Sequence, residues 1–264
     1  MVSIRRITLI GAGNVAFHLA RAIHGTGMEI VQVFSRTMDS ARTLADKYNA
    51  GAVSDIGKIS SGSDLYIIAV SDNALPEVAN RLNLADRPVV HTSGSHSLEV
   101  LKNTSARTGV IYPLQTFSKM KDVNFSKVPL CIEASSAEVA ESLKDFSLAL
   151  SDHVNFLPSG KRKILHLSAV FACNMPNYLY SIAQELLEQN DIDFELLKPL
   201  IMETADKAIE MDPREAQTGP AWRRDDRILE KHLSLLDRFP EYREIYKLLS
   251  DNIIKMKENK DENL

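Results

Sequence analysis

The chain is poor in cysteine: Cys131 and Cys173 are the only two in 264 residues, too few and too far apart for a disulfide framework or a cysteine-based zinc site. No apolar run approaches the roughly 20 residues of a membrane span. Arg5 and Arg6 lead into an apolar stretch that a glycine turn interrupts at once, so no signal peptide is expected. Charge is not in excess either. A formal charge of −4 offers no general attraction to nucleic acid, and the one tight basic cluster, Lys161-Arg162-Lys163, reads as a solvated helix start. There is no internal repeat and no low-complexity tract. What remains is an ordinary soluble globular composition, 44% hydrophobic and 25% charged, expected in a reducing cytosol and long enough for one large or two moderate domains.

What the chain does have is concentrated near its start. A strand-like run, Ile7-Thr8-Leu9-Ile10, enters Gly11-Ala12-Gly13-Asn14-Val15-Ala16 directly. Gly11 permits a tight turn off the strand, Gly13 lets backbone N–H groups approach a pyrophosphate, and the small Ala16 lets the next helix pack closely. Val15, Leu19, Ala22 and Ile23 give that helix its apolar face. Its N-terminus offers unpaired donors and partial positive charge to a phosphate, so Gly11, Gly13, Asn14 and Val15 are read as a dinucleotide-binding turn.

One more absence chooses the nucleotide. An NAD-type site carries an acid on the ribose 2′-hydroxyl about 20 residues after the glycines, and none follows the second strand, Ile30 to Phe34. The chain has Ser35-Arg36-Thr37 there, two hydroxyls flanking a guanidinium that suits a 2′-phosphate. NADP(H) is therefore expected, although Ser35 or Thr37 also suits the N-cap of the next helix.

Up to about residue 157 strands and helices alternate, as in a doubly wound α/β sheet, with further strands over 65–70, 89–91, 110–112, 130–133 and 154–157. Ligands on such sheets lie beyond the carboxyl ends of the strands, which adds Val70 and Ser71 to the cofactor neighbours. One of Ser71, Asp72 and Asn73 is expected to cap the helix that contains Pro76. After Pro158-Ser159-Gly160 strand signals vanish, and helices are expected over 163–189, 194–210, 225–238 and 242–257. The expected domains are a dinucleotide-binding Rossmann domain, 1–157, and an all-α domain, 158–264.

Three further segments carry possible chemistry. The Ser/Gly-rich stretch 91–96 follows a strand and can offer Ser93 to a substrate, or form a turn before a helix capped by Ser97. On the long helix, His166, Asn174, Asn177 and Ser181 fall on one face, while Pro176 should kink the helix near Ala172. The 218–225 turn carries the single Trp222 with Arg223 and Arg224, either a carboxylate fork or surface partners of Asp225 and Asp226.

These segments together, with Tyr112-Pro113-Leu114-Gln115-Thr116-Phe117, resemble the NADP-dependent oxidoreductases that include pyrroline-5-carboxylate reductase, ketopantoate reductase and the β-hydroxyacid dehydrogenases. The resemblance is strongest to a family joining a Rossmann-like domain to a helical C-terminal domain like that of 6-phosphogluconate dehydrogenase. It implies reduction of a C=O or C=N bond in a small carboxylated metabolite. The helical domain is expected to line the cleft and to make a homodimer, since four long helices present more apolar surface than one small core can cover, and the protein is expected in the cytoplasm without nucleic-acid or membrane partners. Ketopantoate reductase and the β-hydroxyacid dehydrogenases place a catalytic Lys on the first helix of the second domain, with an Asn four residues later. This chain has His166 and Val170 there, with Asn174 one turn beyond, and Tyr112 where similar proteins have His. His166 is thus the candidate acid, with Asn174 and Ser93 as substrate ligands. The resemblance also leaves two alternatives, electron transfer from NADPH to a deazaflavin-type carrier and a non-enzymatic NADP sensor.

Overall fold

The computed structural model describes residues 4–262. Strands β1 (Arg6–Ile10), β2 (Glu29–Phe34), β3 (Gly51–Val53), β4 (Leu65–Ile68), β5 (Val89–His91), β6 (Thr108–Pro113), β7 (Leu130–Ala134) and β8 (Val154–Phe156) form one sheet in the order β3-β2-β1-β4-β5-β6-β7-β8. All neighbours are parallel except β6 and β7. Helices α1 (Asn14–Gly25), α2 (Met38–Ala45), α3 (Leu75–Arg81) and α4 (Ala137–Leu148) connect strands. This is the expected doubly wound Rossmann arrangement, with one added edge strand. β3 is three residues of small side chains at the sheet margin, too short to show a period.

The core follows from the strand sequences. Leu65, Tyr66, Ile67 and Ile68 of β4 are all buried, as a central parallel strand covered on both faces requires. Ile7, Leu9, Leu19, Ile23, Val33 and Ile67 belong to one cluster of buried apolar side chains. The chain order reverses between β1 and β4, so the carboxyl ends of β1, β2 and β4 open a crevice at that switch point.

Beyond β8 the chain is helical: α5 (Ser159–Ala169), a π-helical turn (Val170–Asn174), α6 (Met175–Glu188), α7 (Lys198–Glu210), α8 (Pro213–Ala216), α9 (Pro220–Arg223), α10 (Asp226–Leu235) and α11 (Pro240–Glu262). The expected single helix over 163–189 is therefore interrupted. Pro176 has no N–H to donate, and just ahead of it the bonding widens, with Met175 N donating to Val170 O five residues back.

By compactness the chain divides into Met1–Met175 and Pro176–Leu264, so α5 stays with the sheet unit although strand signals end near residue 157. The cause is Arg162. It is 0% exposed, donating to Glu133 Oε2, to His96 O at 2.6 Å and to Ser159 Oγ at 3.2 Å. This corrects the reading of Lys161-Arg162-Lys163 as a solvated cluster: the middle side chain is locked onto β7.

Candidate active site

The first half of the site is the glycine turn. Gly11 has φ +126°, and a Cβ there would lie 2.2 Å from Ala69 O, so no other residue fits between β1 and β4. A Cβ on Gly13 would meet nothing within 4 Å. Gly13 precedes α1 with no side-chain cap, and that helix has no acid in its first turn, while Ala16 behind it is fully buried. The donors at the helix start are thus left for an anion in open space.

Gly11, Ala12, Gly13, Asn14, Val15, Phe34, Ser35, Arg36, Ser40, Ala69, Val70 and Ser71 line one cleft of about 450 Å3, with Ala74 and Val78 of the α3 segment. Eight of the nine cofactor residues expected from sequence lie in this lining. Thr37 does not. Its hydroxyl accepts from Ser40 N at 3.4 Å and donates to Ser40 Oγ at 2.8 Å, capping α2. Ser40, in the first turn of α2, is the hydroxyl residue in the lining in its place. A pyrophosphate fits the bare glycine turn, and Arg36 with Ser35 and Ser40 fits a 2′-phosphate.

The second half begins where the cleft ends. Ser71 lines the cleft, and its carbonyl accepts from Ala74 N and Leu75 N, so backbone bonds start α3 and none of Ser71, Asp72 and Asn73 caps it. Asp72 turns elsewhere. It accepts from Ser95 Oγ at 2.6 Å, and its carbonyl accepts from His96 Nε2 at 3.0 Å. Burial alone would raise its pKa, but the hydroxyls of Ser95 and Ser93 and the imidazoles of His96 and His166 outweigh that and hold the carboxylate below its ordinary value.

Ser93 is 8% exposed, and its Oγ accepts from Ser95 N at 3.1 Å and His96 N at 3.0 Å. Its oxygen thus shapes the 91–96 turn. Ser97 makes no cap; the segment it precedes, Leu98–Leu101, is a short 3-10 turn. His91 lies beneath at full burial. Burial, with the charges of Arg162 and His96, pushes its pKa down to about 4, and its Nδ1 accepts from Ser93 N at 3.1 Å.

His166 on α5 reaches the same edge of the sheet. Its Nδ1 lies 3.0 Å from the hydroxyl of Tyr112, near the carboxyl end of β6. Gly94 packs against both: a Cβ there would be 2.7 Å from His166 Nδ1 and 2.9 Å from Tyr112 Cζ. Burial first, then nearby Cys131 and Asp72, push the Tyr112 phenol up to about 12, so it stays protonated. From sequence Tyr112 stood out only as the residue where similar proteins have His, and its pairing with His166, 54 positions away, was missed. Asn174 is exposed at the end of the π-helical turn.

Comparison with known proteins assigns this architecture. Residues 6–94 match the family model described as NADP oxidoreductase coenzyme F420-dependent, and 128–253 match a domain of unknown function, DUF2520. A crystal structure from Bacteroides fragilis, assigned as an NADP oxidoreductase, is 41% identical over 96% of this chain and 98% of that one, with a TM-score of 0.90. The chain belongs to this NADP oxidoreductase family. A Thermotoga maritima protein shares the fold at 23% identity over 97% of this chain and 99% of its own, TM-score 0.70. So does a pyrroline-5-carboxylate reductase from Streptococcus pyogenes at 14% identity, over 96% and 98% of the two chains, TM-score 0.60. No curated protein matches the sequence.

In this NADP oxidoreductase the remaining sequence candidates are placed as follows. Arg224 is held at φ 55° and pairs with Glu258 at 2.9 Å, whereas Asp225 caps α10 through Ile228 N. Of the two readings of this turn, Arg224 takes a surface pairing, with Glu258 rather than with Asp225 or Asp226. Arg223 is exposed. Cys131 is a buried free thiol and Cys173 an exposed one. Among the described residues no cluster of His, Cys, Asp and Glu could hold a metal, and no helix is long and apolar enough to cross a membrane.

Proposed function

We propose that the protein uses NADPH to reduce a C=O or C=N bond of a small carboxylated metabolite, with His166 as proton donor. The observation that carries this reading is the Tyr112–His166 pair beside Asp72, next in sequence to Ser71 of the dinucleotide cleft. Bound NADPH supplies the hydride, so the chain has to orient the substrate and deliver one proton.

In this reading the tasks fall to separate groups. When His166 is an imidazolium, Nδ1–H donates to the phenol oxygen of Tyr112, which leaves Nε2–H for the substrate. Asp72, held ionised by Ser95 and Ser93, is the counter-charge. Gly94 admits the pair without a side chain in the way. Asn174 is proposed as a substrate ligand, and Ser93 acts by its place in the turn. The same proposal includes a cytoplasmic homodimer, since the helical unit exposes Leu196, Leu200, Met202 and Ile209.

The test is turnover of small keto acids and cyclic imines with NADPH. His166→Gln should lower kcat by roughly 10²- to 10⁴-fold and leave NADPH affinity unchanged. An unaltered kcat would remove His166 from the chemistry.

A further inference from the structure

The segment after β6 lies across α1 as a strap. Asn14 Nδ2 donates to Phe117 O at 2.9 Å, His18 Nε2 donates to Ser118 O at 2.9 Å, and the Arg21 guanidinium pairs with Asp122. Positions 14, 18 and 21 share one helix face. His18 is 2% exposed and stacks on Phe117, with ring centroids 5.0 Å apart. The strap is therefore fixed by buried as well as surface contacts.

That fixing places Lys119. Its Nζ donates to Ala12 O at 3.0 Å, the carbonyl between the two glycines. An ammonium has three donors, and among the described residues no carboxylate pairs with this one. The contact sets the ammonium against the carbonyl between Gly11 and Gly13, two residues ahead of the uncapped start of α1. Nothing in the strap requires a cation at that point, because a neutral amide would satisfy the Ala12 carbonyl.

We propose that Lys119 is a ligand of the dinucleotide's pyrophosphate, complementing Arg36 at the 2′-phosphate. The proposal rests on the dinucleotide reading of the cleft and adds a charged contact from outside the glycine motif. Its energetic logic is that an ammonium–phosphate contact is stronger than an ammonium–carbonyl one. Lys119 should therefore transfer from Ala12 O to phosphate when the ligand arrives.

The experiment is calorimetric titration of the full-length wild type, Lys119→Gln and Arg36→Ala with NADP+, NAD+ and adenosine 2′-phosphate. Lys119→Gln, which keeps a donor for Ala12 O, should weaken NADP+ and NAD+ by the same factor, about tenfold. It should spare adenosine 2′-phosphate, which has no pyrophosphate, and make the salt dependence of NADP+ binding shallower. Arg36→Ala should show the opposite pattern, losing NADP+ and adenosine 2′-phosphate while sparing NAD+. Wild-type affinities in Lys119→Gln would reduce the residue to a pin on Ala12. Equal loss of all three ligands would mean that the loop itself had been disturbed, and would also overturn the proposal. A wild type that binds none of them overturns the cleft reading before any variant is made.

Discussion

In the sheet unit Ile7, Leu9, Leu19, Ile67 and Leu101 are wholly shielded from solvent, whereas α6 and α7 of the helical unit contain no buried residue. Leu196, Leu200, Met202 and Ile209 are 61–82% exposed. The helical unit does have local order: His232 Nδ1 meets Tyr246 Oη at 2.7 Å, and Lys257 and Lys260 lie over the Trp222 ring. The first is a half-buried contact within the unit, and the two cation–π contacts are of small individual worth. A sheet covered on both faces satisfies its own apolar side chains, while helices with apolar residues on open faces require another surface. The contrast separates the preformed crevice proposed for the cofactor from the surface proposed for a second copy.

The strongest way to break the self-sufficient half is at Gly11. Valine there must adopt φ +126° with its Cβ 2.2 Å from Ala69 O, at a cost of roughly 3–5 kcal/mol in unfolding free energy, measurable by urea titration. Gly13→Val is the matched control. Its added side chain meets open space in the protein and enters the space of the pyrophosphate, so the urea midpoint should hardly move while NADP+ binding is abolished. If both variants lost stability equally, the two glycines would not have the separate roles assigned to them.

The helical half should break differently, at the level of assembly. Met202 and Ile209 lie one heptad apart on one face of α7 and are 66% and 82% exposed. Replacing both by Asp leaves the protomer's own packing untouched, yet it should weaken self-association by roughly 2–4 kcal/mol, from the apolar area lost. Sedimentation should show a wild-type dimer at micromolar concentration and a monomeric double variant. A monomeric wild type would instead assign those exposed side chains to some other partner.

Much of the sheet half was legible because backbone geometry restricts the choice of residue. Gly11 is imposed by its φ and by Ala69, and a missing acid after β2 is visible as an absence. The edge strand β3 was not legible, since Gly51, Ala52 and Val53 carry no period. Arg162 looked like surface charge because its partners Glu133 and His96 are 29 and 66 positions away. Tyr112 and His166 meet only once β6 and α5 share an edge. Pro176 announced a disturbance, but the π-helical form it took depends on how the preceding turn packs.

The smallest and most local test concerns His91, at the base of the substrate-side turn. Burial holds its folded pKa near 4 against an ordinary value of 6.5. The imidazole is therefore neutral in the folded protein where the unfolded chain already binds a proton. Its contribution to stability is fully present above pH 6.5 and is lost as pH falls toward 4, at up to about 1.4 kcal/mol per pH unit. Below that window both states are protonated and the slope from this residue ends. Glu133 acts further down: its pKa is depressed despite burial, through hydrogen bonds from Ser159 and Arg162, so its contribution is present above 4.5 and fades as pH falls through its lower folded value. Unfolding free energy measured by urea at intervals across this range should fall more steeply in the wild type than in His91→Asn between pH 6.5 and 4, with the two curves converging in slope outside it. Parallel curves throughout would show that His91 takes up its proton without leaving the fold, and that the turn bearing Ser93 and Ser95 is open to solvent rather than sealed beneath the site.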